Sequence, residues 1–151
     1  IPLVEVFEEN PFPRKLDFRA TVNTAVNCCE ISEGERKMVD CIFCKIVKGE
    51  VPCRKVYEDD QVLAFEDIHP MAPVHVIIIP KDHIPTLMDV EVDGMDVLSS
   101  LFIAAQIIAE VKDVDRTGFR TVINCNEEGG QIIFHLHMHL LGGKKLIDEL
   151  G

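Results

Sequence analysis

Between the glycine pairs Gly129-Gly130 and Gly142-Gly143 runs the segment Gln131-Ile132-Ile133-Phe134-His135-Leu136-His137-Met138-His139-Leu140-Leu141. From His135 onward it alternates imidazole and apolar side chains, and three of the six histidines of the chain lie in it. Period-two alternation bounded by turn residues predicts a half-buried strand. Residues i, i+2 and i+4 of a strand share a face. His135, His137 and His139 are therefore expected on one side, with Leu136, Met138 and Leu140 in the core on the other. Three chance surface histidines would need a coincidence of spacing. A strand-borne metal site is the stronger rival to an acid–base or nucleophilic row, because imidazole is a common metal ligand. The row carries chemistry, and by itself it leaves the choice open.

Length and charge narrow the choice. A chain of 151 residues predicts one domain with a substantial core. Its net charge of -11 argues against a nucleic acid or an anionic membrane as partner. A single nucleotide held by a few local donors remains compatible. No apolar run approaches a membrane span, and the N-terminus lacks the layout of a signal peptide. The six cysteines are too irregular for a disulfide scaffold, while Cys41-x-x-Cys44 has metal or redox spacing. These features predict a reduced, cytoplasmic location.

Residues 1–37 differ from the remainder. Asn10-Pro11-Phe12-Pro13 breaks any early element, and Ser32-Glu33-Gly34-Glu35-Arg36-Lys37 is polar. The expectation is a poorly ordered or non-native extension over 1–37, with Met38 as the natural start, and one domain over 38–151. Cys41 through Val47 reads as a short turn or helix stopped by Gly49 and Pro52. Lys55–Glu58 and Val62–Glu66 read as strands joined by a two-residue turn at Asp59-Asp60. Leu63, Phe65 and Asp67 then share a face, and an acid there is ordinarily a turn former. His75-Val76-Ile77-Ile78-Ile79 reads as a buried central strand with His75, Ile77 and Ile79 on one side. A lone histidine there is ordinarily a satisfied core residue.

The long helix is predicted from Met95 to about Lys112. Its stripe is Val97, Leu101, Ala104, Ala105, Ile108 and Val111. Phe102, Ile103 and Ile107 fall largely outside the stripe and ask for a second covering surface, most simply another copy of the chain. Phe119 through Asn124 reads as the next strand.

The block His135-Leu136-His137-Met138-His139-Leu140-Leu141 resembles the motif of the histidine-triad family. Further stretches are similar to its landmarks in the same order: Cys41–Ile46, Leu63–Ile68, Pro73-Val74-His75, Ile79–His83, Asn124 and Gly130-Gln131. The similarity runs from Met38 to about Leu146 and is greatest to the nucleotide-binding branch of nucleoside phosphoramidate hydrolases. It implies an α+β fold: a five-stranded antiparallel meander with one long helix and a short N-terminal helix. In the family this sheet pairs with a second subunit into ten strands, so a homodimer is implied.

The resemblance also implies roles. His137 would attack phosphorus and form a nucleotidyl-imidazole intermediate. His135 and His139 would orient it or contact phosphate, with His75 behind them. The substrate would be a purine nucleoside phosphoramidate or mononucleotide. Its base and sugar would meet Phe43, Ile46, Val51, Phe65 and Ile68, with Asp67 on the ribose hydroxyls. Asn124 and Gln131 would lie near the phosphate, with the backbone at Gly129-Gly130 free to approach it. Catalysis would need no cofactor. In a bacterial subset a structural zinc is held by residues matching Cys41, Cys44, His83 and His135, a Cys₂His₂ set suited to tetrahedral coordination; the alternative is that both cysteines are small core residues. Other readings are cleavage of dinucleoside polyphosphates, metal-dependent hydrolysis on the histidine row, and slow or non-catalytic nucleotide binding. One position departs from the branch: Ile132 stands where relatives usually carry Ser or Thr after the Gln.

Overall fold

Alternation along the strands creates two apolar faces, and the fold is the result of covering both. In the computed structural model, residues 41–91 and 95–147 are described. The expected N-terminal extension, residues 1–37, lies outside the described residues. The elements are α1 (Ile42–Val47), β1 (Lys55–Glu58), β2 (Val62–Glu66), β3 (Val74–Pro80), α2 (Met95–Val111), β4 (Phe119–Val122) and β5 (Met138–Gly142). A single 3₁₀ turn at Leu87–Asp89 lies between β3 and α2.

The five strands form one antiparallel sheet in the order β1-β2-β3-β5-β4. The first three strands meander as expected. The chain then crosses through α2 to the far edge, and β5 returns between β4 and β3. This return puts the histidine segment beside β3, at the centre of the sheet, with Ile77 opposite His139.

One face is covered by α2. Val62, Ala64, Val76, Ile78, Leu136, Met138 and Leu140 pack against Leu101, Ala104, Ala105, Ile108 and Ala109. Alanine at three of the five helix positions lets the axis approach the strands closely. Tertiary packing of this kind, more than helix propensity, stabilises such an element. The predicted stripe is correct from Leu101 to Ile108; before it Leu98, rather than Val97, packs against the cluster. Val111 is exposed, because the chain turns after it and Val114 takes the next core position. The salt bridge from Lys112 Nζ to Glu66 Oε1 at 2.9 Å fixes this turn to β2.

The opposite face, made by Leu63, Phe65, Ile77 and Ile79, is covered by Cys41, Phe43 and Ile46. Helix α1 has only six residues, too few to be stable alone. Gly49, at φ +75°, ends it. The turn between β1 and β2 has three residues rather than two. Asp59 Oδ1 accepts from the N–H groups of both Gln61 and Val62 at 2.8 Å, which draws Gln61 into the turn. The fourth strand stops at Val122, two residues before the expected end.

Candidate active site

The histidine segment is a strand only in its second half. Strand β5 begins at Met138, so His135 and His137 precede it and only His139 stands on the sheet. The expected single row is corrected accordingly. Two local bonds divert the chain: His135 N–H donates to the Ile133 carbonyl at 2.9 Å, and Leu136 N–H to the Ile84 carbonyl at 2.6 Å. Leu136, Met138 and Leu140 nevertheless enter the core together, as predicted.

Gln131 holds the loop that leads into this segment. Its side-chain oxygen accepts from Asn126 N–H at 2.9 Å, and its Nε2 donates to the carbonyls of Pro85 and Ile133 at 2.8 and 3.1 Å. The amide is therefore spent on the loop. The two glycines have reasons of the same kind. A Cβ on Gly129 would lie 2.3 Å from the Cys125 carbonyl oxygen, and Gly130 has φ +78°. Asn124 is nearby, with Nδ2 4.0 Å from where a Cβ on Gly130 would be.

Backbone partners set the tautomers of the imidazoles. His137 Nδ1 lies 2.7 Å from the His135 carbonyl oxygen. A carbonyl only accepts, so Nδ1 carries the proton and the neutral ring keeps a lone pair on Nε2. The Met71 N–H donates to His75 Nδ1 at 3.2 Å, which places the His75 proton on Nε2. That proton faces His139 Nδ1 at 2.9 Å, with Asp67 Oδ2 more distant at 3.4 Å. His139 therefore accepts at Nδ1 and carries its proton on Nε2. His137 and His139 meet edge to face, with centroids 5.0 Å apart. The ring that keeps a lone pair on Nε2 thus stands next to a ring that carries its proton on Nε2.

Burial disfavours charge on His139 and His75. Desolvation, then repulsion from His137 and His75, pushes His139 down to about 4 against the opposing pull of Asp67. Desolvation also lowers His75, again opposed by Asp67. The lone core histidine expected in β3 is thus part of the site.

His135 occupies a separate environment. It is fully buried, at 0% exposure, and both of its ring nitrogens face protein groups. Nε2 donates to the Pro80 carbonyl at 2.9 Å, which leaves Nδ1 bare. That nitrogen lies 3.5 Å from Cys41 Sγ, 3.6 Å from Cys44 Sγ and 3.2 Å from His83 Nδ1, while His83 Nδ1 lies 3.2 Å from Cys44 Sγ. All four donor atoms fall within 4.8 Å of one another. Tetrahedral zinc, with Zn–N near 2.0–2.1 Å and Zn–S near 2.3 Å, requires ligand separations of roughly 3.3 Å (N to N) and about 3.6 Å (N to S). The donor set fits. The His135 ring thus lies in this quartet, and it is the His135 backbone carbonyl that meets His137 Nδ1. The quartet also places the Cys41 end of α1 beside the triad. From that helix Phe43 stands edge-on to His137, centroids 5.4 Å apart.

The expected nucleotide contacts divide into two groups. Phe43, Ile46 and Phe65 are buried together, with Val51 packed against them, and Asp67 lies beside His75. Ile68 is 85% exposed and stands outside that apolar cluster. Ile132 is 89% exposed. The Met71 N–H and the Pro80 carbonyl were not foreseen, because backbone groups leave no trace in residue type. No described helix is long and apolar enough to cross a membrane.

Comparison with known proteins agrees with this geometry. Residues 48–146 match the HIT domain family. The purine nucleoside phosphoramidase of Escherichia coli K12 is 46% identical over 105 residues, covering 70% of this chain and 88% of that protein. A 14 kDa zinc-binding protein of Brassica juncea is 44% identical over 109 residues, covering 71% and 96%. The crystal structure of a HIT family hydrolase from Legionella pneumophila Philadelphia 1 superposes with a TM-score of 0.73 at 45% identity, covering 74% of this chain and all of that one. With the order of the histidines, the sheet that carries them and these similarities in agreement, the chain belongs to the HIT family.

Proposed function

We propose that the protein hydrolyses purine nucleoside phosphoramidates through a nucleotidyl-His137 intermediate. The observation that carries this reading is the 2.7 Å bond from His137 Nδ1 to the His135 carbonyl, which presents Nε2 as a bare nucleophile. The E. coli relative named as a phosphoramidase supports the substrate class. Nε2 of His137 attacks phosphorus and the P–N bond breaks; the departing amine takes the His139 Nε2 proton as His139 Nδ1 takes the His75 Nε2 proton, and His75 is reprotonated from solvent. Water then attacks the phosphorus of the intermediate, the P–Nε2 bond to His137 breaks, the water proton goes to His139 Nε2 and one proton passes back through His75 to solvent, releasing the nucleoside monophosphate. His75 thus restores the tautomer of His139 after each turnover. A neutral imidazole suits this relay because it donates from one nitrogen and accepts at the other.

The base and ribose would lie against the apolar cluster around Phe43 and Phe65, with Asp67 at the sugar. Exposed Ile68 would close over the nucleotide only once it is bound. The Gln131 amide would act by holding the loop rather than by touching phosphate. His137→Ala is expected to fold and to lose essentially all turnover. His139→Ala should lose roughly 10²–10⁴-fold, the range of a positioned acid. Single-turnover kinetics on an adenosine phosphoramidate measures both, and a His137→Ala rate within about tenfold of wild type would contradict the mechanism.

The quartet Cys41, Cys44, His83 and His135 is read as a closed structural zinc site, supported by its donor separations and by the zinc-binding Brassica relative. When bound, zinc would cross-link the start of α1, the turn after β3 and the triad segment. Purified protein should carry about one zinc per chain and melt at lower temperature after chelation. Metal-free protein with unchanged melting would return both cysteines to the role of plain core residues.

Ile132 removes a hydroxyl from the position where relatives of this branch usually have one. A missing transition-state donor costs roughly 10²–10³ in rate. The exposure of Ile132 leaves room for the smaller side chain. Ile132→Ser should raise the single-turnover rate with little change in nucleotide affinity; an unchanged or lower rate would remove the hydroxyl from the account.

Phe102 and Ile103 are 53% and 54% exposed on α2, an apolar surface away from the sheet. A second copy of the chain is the proposed cover. Sedimentation velocity should give twice the chain mass, and Ile103→Glu should shift it toward the monomer. A wild-type monomer at micromolar concentration would exclude that cover.

A further inference from the structure

The proposed displacement leaves one reactive pair unused. Cys41 and Cys44 contribute no group to it, yet their sulfurs lie within 4.8 Å of each other and of two imidazole nitrogens. Cys41 is the extended N-cap residue of α1 and Cys44 the third residue of that helix, so the change in backbone direction aims both sulfurs at one point. Access to them is unequal. Cys41 is buried, whereas Cys44 is half-buried, and its sulfur meets His83 on the open side of the quartet at 3.2 Å. An accessible sulfur backed by a buried one three residues away is the layout of thiol–disulfide chemistry.

We propose that Cys41 and Cys44 are an oxidisable dithiol, converted by a peroxide-class oxidant to a disulfide that dismantles the quartet. The inference rests on the zinc reading of the quartet, because coordinated cysteines are held as thiolates, the nucleophilic form. The Cys44 thiolate attacks one peroxide oxygen; the S–O bond forms, the O–O bond breaks and hydroxide departs, leaving a sulfenic acid. Cys41 then attacks the Cys44 sulfur, forming the S–S bond and displacing a second hydroxide. Two thiolates have given up two electrons, one peroxide has accepted them, and two protons from solvent complete two waters. A disulfide is a poor ligand, so a zinc held by the quartet would lose two of its four ligands and would be released to solvent.

The loss reaches the nucleophile through His135. With the quartet gone, the His135 ring loses its Nδ1 partners and keeps the Nε2 bond to the Pro80 carbonyl and the edge contact with Phe43, and its own carbonyl is the acceptor that orients His137. Displacing a reacting group by even about 1 Å can cost roughly 10²-fold in rate. Oxidation of α1 is thereby coupled to turnover with no contact between the cysteines and the substrate.

The test uses the purified wild-type protein. Its metal content is measured first, and hydrogen peroxide is then titrated while a chromogenic chelator reports released zinc. Peptide mapping follows the cysteines and a phosphoramidate assay follows turnover. The expected result is about one zinc released per Cys41–Cys44 disulfide, with turnover falling in parallel by roughly 10²-fold. A dithiol reductant plus zinc should restore both. Zinc retained while oxidation maps to other residues would overturn the inference and leave the zinc reading standing. A Cys41–Cys44 disulfide with unchanged turnover would overturn the coupling. Absence of metal before any peroxide is added would sink the zinc reading itself, and this inference with it.

Discussion

The site depends on one residue used in three directions. His135 points its Nδ1 at two sulfurs and a second imidazole, gives its Nε2 proton to the Pro80 carbonyl, and offers its own carbonyl to His137. Each use constrains the next. The Pro80 bond fixes the tautomer that frees Nδ1 for the quartet. A ring held in this way fixes the peptide whose oxygen orients the neighbouring imidazole. Outer partners of a ligand histidine commonly set its tautomer and orientation. Here the proposed ligand is two residues from the proposed nucleophile, so the two proposed sites share one short piece of backbone.

A second constraint is electrical. Histidines crowded at 5 Å spacing would repel one another if protonated, and burial disfavours charge in the same direction. Both effects lower His139, and burial is the larger. A protein with a net charge of -11 thus disfavours positive charge on His75 and His139, beside the point where the proposed reaction would bring a phosphate oxygen. Asp67, whose Oδ2 lies 3.4 Å from His75 Nε2, pulls the other way on both His75 and His139. The neutral forms matter because a relay that passes one proton needs a donor and an acceptor on each ring.

Much of this was legible in the residues. Period-two alternation placed Leu136, Met138 and Leu140 in the core, and the 3.6-residue stripe placed α2 against the sheet as far as Ile108. Resemblance to the histidine-triad family grouped Cys41, Cys44, His83 and His135, which lie far apart in sequence. What escaped was set by backbone and by topology. The strand begins at Met138 because carbonyls of Ile133 and Ile84 capture the preceding peptides, and carbonyls have no residue signature. The Met71 N–H that sets the His75 tautomer is unreadable for the same reason. The place of β5 between β3 and β4 follows from where α2 returns the chain, a long-range outcome that local periodicity cannot encode. Val111 satisfies the helical stripe yet is exposed, since the stripe does not tell where the underlying sheet ends.

The central claim is that backbone partners hold His137 with its proton on Nδ1 and His139 with its proton on Nε2. Long-range ¹H–¹⁵N correlation spectra of the imidazoles at neutral pH read these tautomers directly. The account predicts a non-protonated Nε2 on His137 and a non-protonated Nδ1 on His139. A His137 resonance pattern showing the proton on Nε2 would contradict it, because the proposed nucleophile would then have no lone pair to offer.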